Sequence, residues 1–143
     1  MVNNWRSRNP QRGAAALEFA IVLPVLLLML VGIVDFGMVM GAQAQVFNAA
    51  REGARAGALT GIEKPVTDAV TSGLSGMAGT TKEVKITCTT VDAAACLLTD
   101  PNSDKGSMIT VTITYEHTWL SPVVLGFSPT ITLQGKSQMR IEA

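Results

Sequence analysis

From Phe19 to Val34 the chain carries no charged residue, and with Asp35 admitted the apolar stretch runs on to Ala42. As a helix, those roughly 24 residues span about 36 Å at ~1.5 Å per residue, more than the ~30 Å of a bilayer core. A chain of 143 residues is one domain, or a small domain with an attached segment. It has little material with which to surround so long an apolar rod. Only 15% of its residues are charged while 48% are hydrophobic, which disfavours both disorder and a free cytosolic existence. Pro24 is the one breaker inside the run, and membrane helices accommodate proline as a kink.

The formal net charge of zero hides an asymmetry. Arg6, Arg8 and Arg12 precede the apolar run and no acid accompanies them, so the remainder is net acidic. Positive flanks resist translocation, which predicts a cytoplasmic N-terminus and an extracytoplasmic remainder. The zero net charge gives no support for a nucleic-acid partner. Cys88 and Cys96 fall in the far portion, where disulfides form; a bridge closing a short loop is the preferred reading, with free thiols the alternative. A metal site is not expected, because the spacing is not C-x-x-C and His117 is the only histidine.

A compositional border lies near Gly61. Threonine is absent from residues 1–59, and all the threonines fall between Thr60 and Thr132. Alanine, leucine and methionine dominate the first part and favour helix, whereas the second favours strand. Beyond Ala42 the helix turns polar but keeps a small apolar stripe at Val46, Ala50, Ala54 and Ala58, and Gly61 offers its stop. Pro65 to Met77 reads as a short second helix. Three period-2 patterns follow, around Val84–Cys88, Ile109–Tyr115 and Ile131–Ile141. The reading is α+β: a long N-terminal helix whose polar half covers a small three-stranded antiparallel sheet.

The junction of basic leader and apolar helix reads Arg12-Gly13-Ala14-Ala15-Ala16-Leu17-Glu18-Phe19. A glycine, four small or apolar residues and then Glu-Phe resembles the processing site of type IV pilins and pseudopilins. Three blocks narrow the resemblance to TadE-like minor pseudopilins of tight-adherence (Tad, Flp pilus) systems. The first runs from Arg12 through Ala20 into Leu23-Pro24. The second is Asp35-Phe36-Gly37 with Asn48-Ala49-Ala50-Arg51-Glu52-Gly53-Ala54-Arg55. The third is Thr130-Ile131-Thr132-Leu133 through Met139-Arg140-Ile141-Glu142. Residues 60–107 contribute nothing to it, and the chain lacks the larger outer domain of TadG-like relatives.

The resemblance implies a pilin-like fold and a prepilin peptidase that cuts after Gly13, leaving Ala14 as the new N-terminus. It divides the chain into a leader (1–13), a membrane half of the helix (14–42) and a periplasmic domain (43–143). The protein would sit in the bacterial inner membrane as a single-pass subunit, then join or initiate a pilus. Its partners would be other pilin subunits, the inner-membrane Tad assembly platform and the lipid bilayer. Glu18, Phe19 and Asp35 would serve assembly; for Glu18, a carboxylate so near the start of a membrane helix is costly unless paired, and a neighbour's fresh α-amine is a suitable partner.

Two other readings stay open. One is a permanently anchored periplasmic scaffold of a secretion apparatus. The other is a secreted protein cut at Ala42-Gln43-Ala44, although the apolar segment is long for a signal peptide and contains Asp35. Asp35 costs ~2.5–3.5 kcal/mol near the centre of a membrane helix, so it marks either a helix contact or the outer headgroups. Gly37 with Gly41, and Gly53 with Gly57, have the G-x-x-x-G spacing of close helix packing. Arg51, Glu52 and Arg55 read as an ordinary solvated face. The apolar loop from Trp119 to Phe127 closes the core or docks on a partner. No catalytic constellation, Walker loop or dinucleotide fingerprint is present, so neither an enzyme nor a cofactor is expected.

Overall fold

The computed structural model describes residues 11–99, 105–118 and 130–142. Residues 1–10, expected as leader, and the expected apolar loop from Trp119 to Phe127 lie outside the described residues. Helix α1 runs from Gln11 to Thr60 and continues through Pro24. Its 50 residues extend about 75 Å at ~1.5 Å per residue. It ends where a left-handed residue was available. Gly61 has φ 62°, and its N–H donates to the Gly57 carbonyl at 2.8 Å, closing the last turn.

Helix α2, Glu63–Gly73, starts two residues before Pro65 and ends before Met77. Proline is tolerated there because the first-turn N–H groups have no intrahelical acceptor anyway. The chain then turns through Gly76, at φ 80°, into the sheet. Val66 and Val70 of α2 are buried, as is Leu74 just past its end.

Strands β1 (Gly79–Thr89), β2 (Met108–Thr118) and β3 (Thr130–Arg140) form an antiparallel sheet in the order β1-β2-β3. The β2–β3 register runs unbroken from Met108↔Arg140 to Thr118↔Thr130, whereas β1 shifts register between Thr81 and Glu83. Side-chain alternation fixes which face is covered. Ile109, Val111, Ile113, Tyr115 and His117 of β2 point inward and are buried, and the threonines between them look outward.

The distal half of α1 lies across β2 and β3 on that inner face, with α2 alongside. Ala42, Val46, Ala49, Ala50, Ala54 and Ala58 form its buried stripe. Small side chains set the spacing. A methyl group at Gly53 would meet Val70 Cγ2 at 2.7 Å, and one at Gly57 would collide with Ile109 and Val66. This glycine pair packs inside the chain, against α2 and β2. The C-terminus is tied down by the Glu142 N–H, which donates to the Ala58 carbonyl at 2.9 Å. The arrangement is the expected α+β, pilin-like one: a long apolar helix packed against a three-stranded antiparallel sheet.

Candidate membrane and assembly surface

Helix α1 divides into two halves by what covers it. From Gly13 to Val34 no residue is buried; Phe19 is 62% exposed and Ile33 74%. This bare rod is about 22 residues, or ~33 Å, and it is long and apolar enough to cross a membrane. Leaving so much apolar surface in water would be very unfavourable at about 25 cal/mol per Å², so the rod needs lipid or other apolar helices around it.

Gly13, Ala14, Glu18 and Phe19 all lie on the first turns of the rod and are exposed. Glu18 has no hydrogen bond or ion pair with the described residues. Nothing stands within 4 Å of a methyl group built at Gly13, Gly37 or Gly41, so the first G-x-x-x-G pair faces outward, unlike the second.

Asp35 is different. It is 1% exposed, the first buried residue from Gly13 onward, and it is engaged by the chain itself. It falls one helical turn before Val39 and two before Ala42 on the stripe that faces the globular part, which explains its burial. Some 25 Å of helix separates Glu18 from Asp35. The two acids that sequence reasoning grouped under assembly therefore occupy unlike settings: one bare on the rod, the other enclosed at its base.

Cys88 and Cys96 are joined in a disulfide with a Cα–Cα distance of 5.1 Å. The loop it closes is also braced by Thr90 and Ala94, whose main chains and the Thr90 hydroxyl bond across it at 2.8–3.2 Å. Arg55 and Glu52 form an exposed pair at 3.8 Å on α1, consistent with a solvated face. Among the described residues no group of three or more His, Cys, Asp and Glu side chains is placed to hold a metal.

Two features were not anticipated from sequence. Gly135, mid-strand in β3, lies directly under α1, where the Gln43 side-chain amide also donates to the Gln134 carbonyl at 2.8 Å. His117, at the inner end of β2, is 5% exposed, and neither ring nitrogen has a hydrogen-bond partner among the described residues. The first carries only a glycine in a strand as its signal, the second only the period-2 pattern that put His117 in phase with Tyr115.

Residues 13–55 match the family model described as TadE-like protein. The match opens on the glycine of the proposed processing site, covers the bare rod and Asp35, and ends within the buried half of α1. The match makes this segment similar to TadE-like proteins and leaves residues 56–143 outside it. Neither the curated proteins nor the solved structures provide a match for the chain.

Proposed function

We infer that the chain is a minor pseudopilin of a Tad (Flp) pilus, anchored in the inner membrane by the rod and cut after Gly13 before joining the assembly. The observation that carries this reading is the rod itself: an uncovered apolar helix on a sheet domain, coinciding with the TadE-like match. While the subunit waits, lipid covers the rod. In a filament neighbouring rods cover it instead, so apolar surface stays buried throughout the transfer. The outward Gly37 and Gly41 allow such neighbours to approach closely.

Glu18 supplies register. Its carboxylate, bare within an apolar setting, is strongly favoured to pair with a cation, and cleavage after Gly13 creates one at Ala14 of an adjacent subunit. The extracytoplasmic domain, braced by its disulfide, remains outside the membrane. Its partners are the prepilin peptidase, other pilin-like subunits and the Tad assembly platform.

The test is the N-terminus of the protein isolated from cells that contain the cognate peptidase. Mass spectrometry should give Ala14. Met1 would overturn the reading in favour of a permanent anchor, and Gln45 in favour of a secreted protein. A Glu18→Ala variant should still insert in the membrane yet co-assemble poorly; normal assembly would remove the proposed pairing.

A further inference from the structure

The exposed apolar face of α1 continues past the end of the bare rod. Beyond Val34, Phe36, Met40 and Phe47 are 64%, 54% and 47% exposed, and none of them belongs to the core. With Met29 and Ile33 they recur at helical spacing and form one straight line along the helix, which Glu18 opens about eight turns before Phe47. One turn further on, exposed Arg51 ends it. The line lies about 100° around α1 from Asp35 and Val46, which face the globular part, so the sheet does not cover it.

Hydrocarbon is a sufficient cover for Met29 and Ile33. With lipid ending near Val34, it is none for the ~20 Å of helix that carries Phe36, Met40 and Phe47. A single occupant of the whole line must follow α1 for about 44 Å, first through hydrocarbon and then through water. A continuous helix does so, whereas an open strand or loop leaves unpaired main-chain groups in lipid. Helix α1 is itself long enough, and copies inserted in one membrane present it in the same direction. We propose that this line is the docking face for α1 of a second copy of the chain, running parallel to the first from the membrane up to the level of Phe47.

The proposal rests on the reading of the rod as a membrane anchor. The five apolar side chains of the line, with Val22 and Val25 beside them, expose on the order of 100 Å² each, which comes close to the ~800 Å² per partner of a stable interface. The gain arises in the aqueous part, since hydrocarbon and a neighbouring helix cover Met29 equally well. Because the line stands to one side of the sheet, two copies meet through it without a sheet between them. A flush pair would oppose two Glu18 carboxylates and two Arg51 guanidiniums. Sliding one copy by one turn relieves both and brings Glu18 level with Ala14 of the second copy.

The full chain in lipid vesicles, with Cys88 and Cys96 bridged, tests this through single added cysteines. On oxidation, Phe47→Cys should cross-link into dimers. Gln45→Cys, exposed at the same height but about 160° around the helix, should stay monomeric. Phe36→Ala combined with Met40→Ala should raise the dimer dissociation constant at least about tenfold, measured by energy transfer between differently labelled copies as lipid is added. Both side chains are exposed, so the thermal midpoint should stay at the parent value, which separates lost docking from lost folding. Absence of the Phe47→Cys dimer, equal cross-linking at the two positions, or an unchanged dissociation constant would overturn the docking face. If the undimerised Phe47→Cys is also shielded from a membrane-impermeant maleimide, the cover is lipid or another segment of the chain. The N-terminus reports separately: Ala14 without the cross-link removes the pair alone, whereas Met1 with the cross-link keeps the pair and removes cleavage.

Discussion

Gly135 of β3 sits so close beneath Val46 of α1 that a methyl group on it would lie 2.6 Å from the Val46 carbonyl oxygen and 2.9 Å from Val46 Cγ1. Helix backbone and strand backbone meet there without a side chain between them. A neighbouring bond, from the Gln43 amide to the Gln134 carbonyl, fixes the same crossing. The obstacle to a Cβ at this point is main chain, which cannot swing aside as a side-chain terminus would.

Gly135→Ala should therefore force α1 off the sheet. Overpacking of this kind costs about 1–3 kcal/mol, and here it acts on the contact that joins the two halves of the fold. Thermal unfolding followed by circular dichroism should show a clear drop in midpoint. Gly37→Ala is the matched control, since nothing surrounds Gly37 and alanine is the better helix former by about 1 kcal/mol. It should leave the midpoint unchanged or raise it. If Gly135→Ala unfolded no earlier than the parent, the close crossing would be wrong.

The same crossing shows what could be read in advance. Strand positions from Ile109 to Tyr115 were legible because alternation with threonine repeats over enough residues to identify the buried face. The stripe Val46–Ala58 was legible for the same reason at helical period. Gly135 was not, because a glycine inside a strand carries no information about which backbone approaches it. The four-residue glycine spacing was ambiguous in a similar way. Gly53 and Gly57 turned inward and Gly37 and Gly41 outward, a choice made by where the sheet ends, not by the spacing. At the candidate site, the junction of basic and apolar residues at Gly13 announces itself through charge and apolar contrast, while the enclosure of Asp35 depends on tertiary packing that no local pattern encodes.

The disulfide gives a second expectation. Cys88 and Cys96 lie 8 residues apart, so their bond removes a modest amount of chain entropy from the unfolded state, about 2–3 kcal/mol by loop-length scaling. Replacing both by serine should lower unfolding stability by at most that amount. It should leave the β2–β3 pairing intact, because Thr90 and Ala94 still bridge the loop. Denaturant titration measures the loss, and a collapse of the whole fold would show that the bond does more than close its loop.

Tyr115 gives a third, at alkaline pH. Burial pushes its phenol above the ordinary value of 10.0. The folded state thus holds this proton more tightly than the unfolded state, and the associated stability is fully present below about pH 10. As pH rises past that value the unfolded chain loses its proton first, so stability falls until the folded phenol also ionises. Tyr115 is the sole tyrosine, so phenolate absorbance titrates it alone. Denaturant midpoints should fall more steeply from neutral to strongly alkaline pH in the parent than in Tyr115→Phe. Parallel pH profiles would place the phenol in water instead.

The enclosure of Asp35 sets how deep the rod sinks. If lipid covered α1 as far as Ala42, the base of the globular part would have to enter the membrane with Asp35, Met38 and the cavity beside His117. If lipid stops at Val34, the ~33 Å of bare helix matches a ~30 Å hydrocarbon core without tilt, and Asp35 rests in its own protein environment just outside. The second arrangement avoids placing a buried acid and a polar sheet end in hydrocarbon, and it predicts a sharp border. With the native cysteines bridged, a membrane-impermeant maleimide should label Met38→Cys in oriented vesicles but not Val25→Cys. Asp35→Ala should lower the stability of the sheet domain, by about 1–3 kcal/mol for a buried group whose interactions are lost, while membrane insertion persists. Glu18→Ala should do the reverse, sparing the domain and impairing assembly. Protection of Met38→Cys, or an Asp35→Ala protein as stable as the parent, would move the border outward to Ala42 and return Asp35 to the rod.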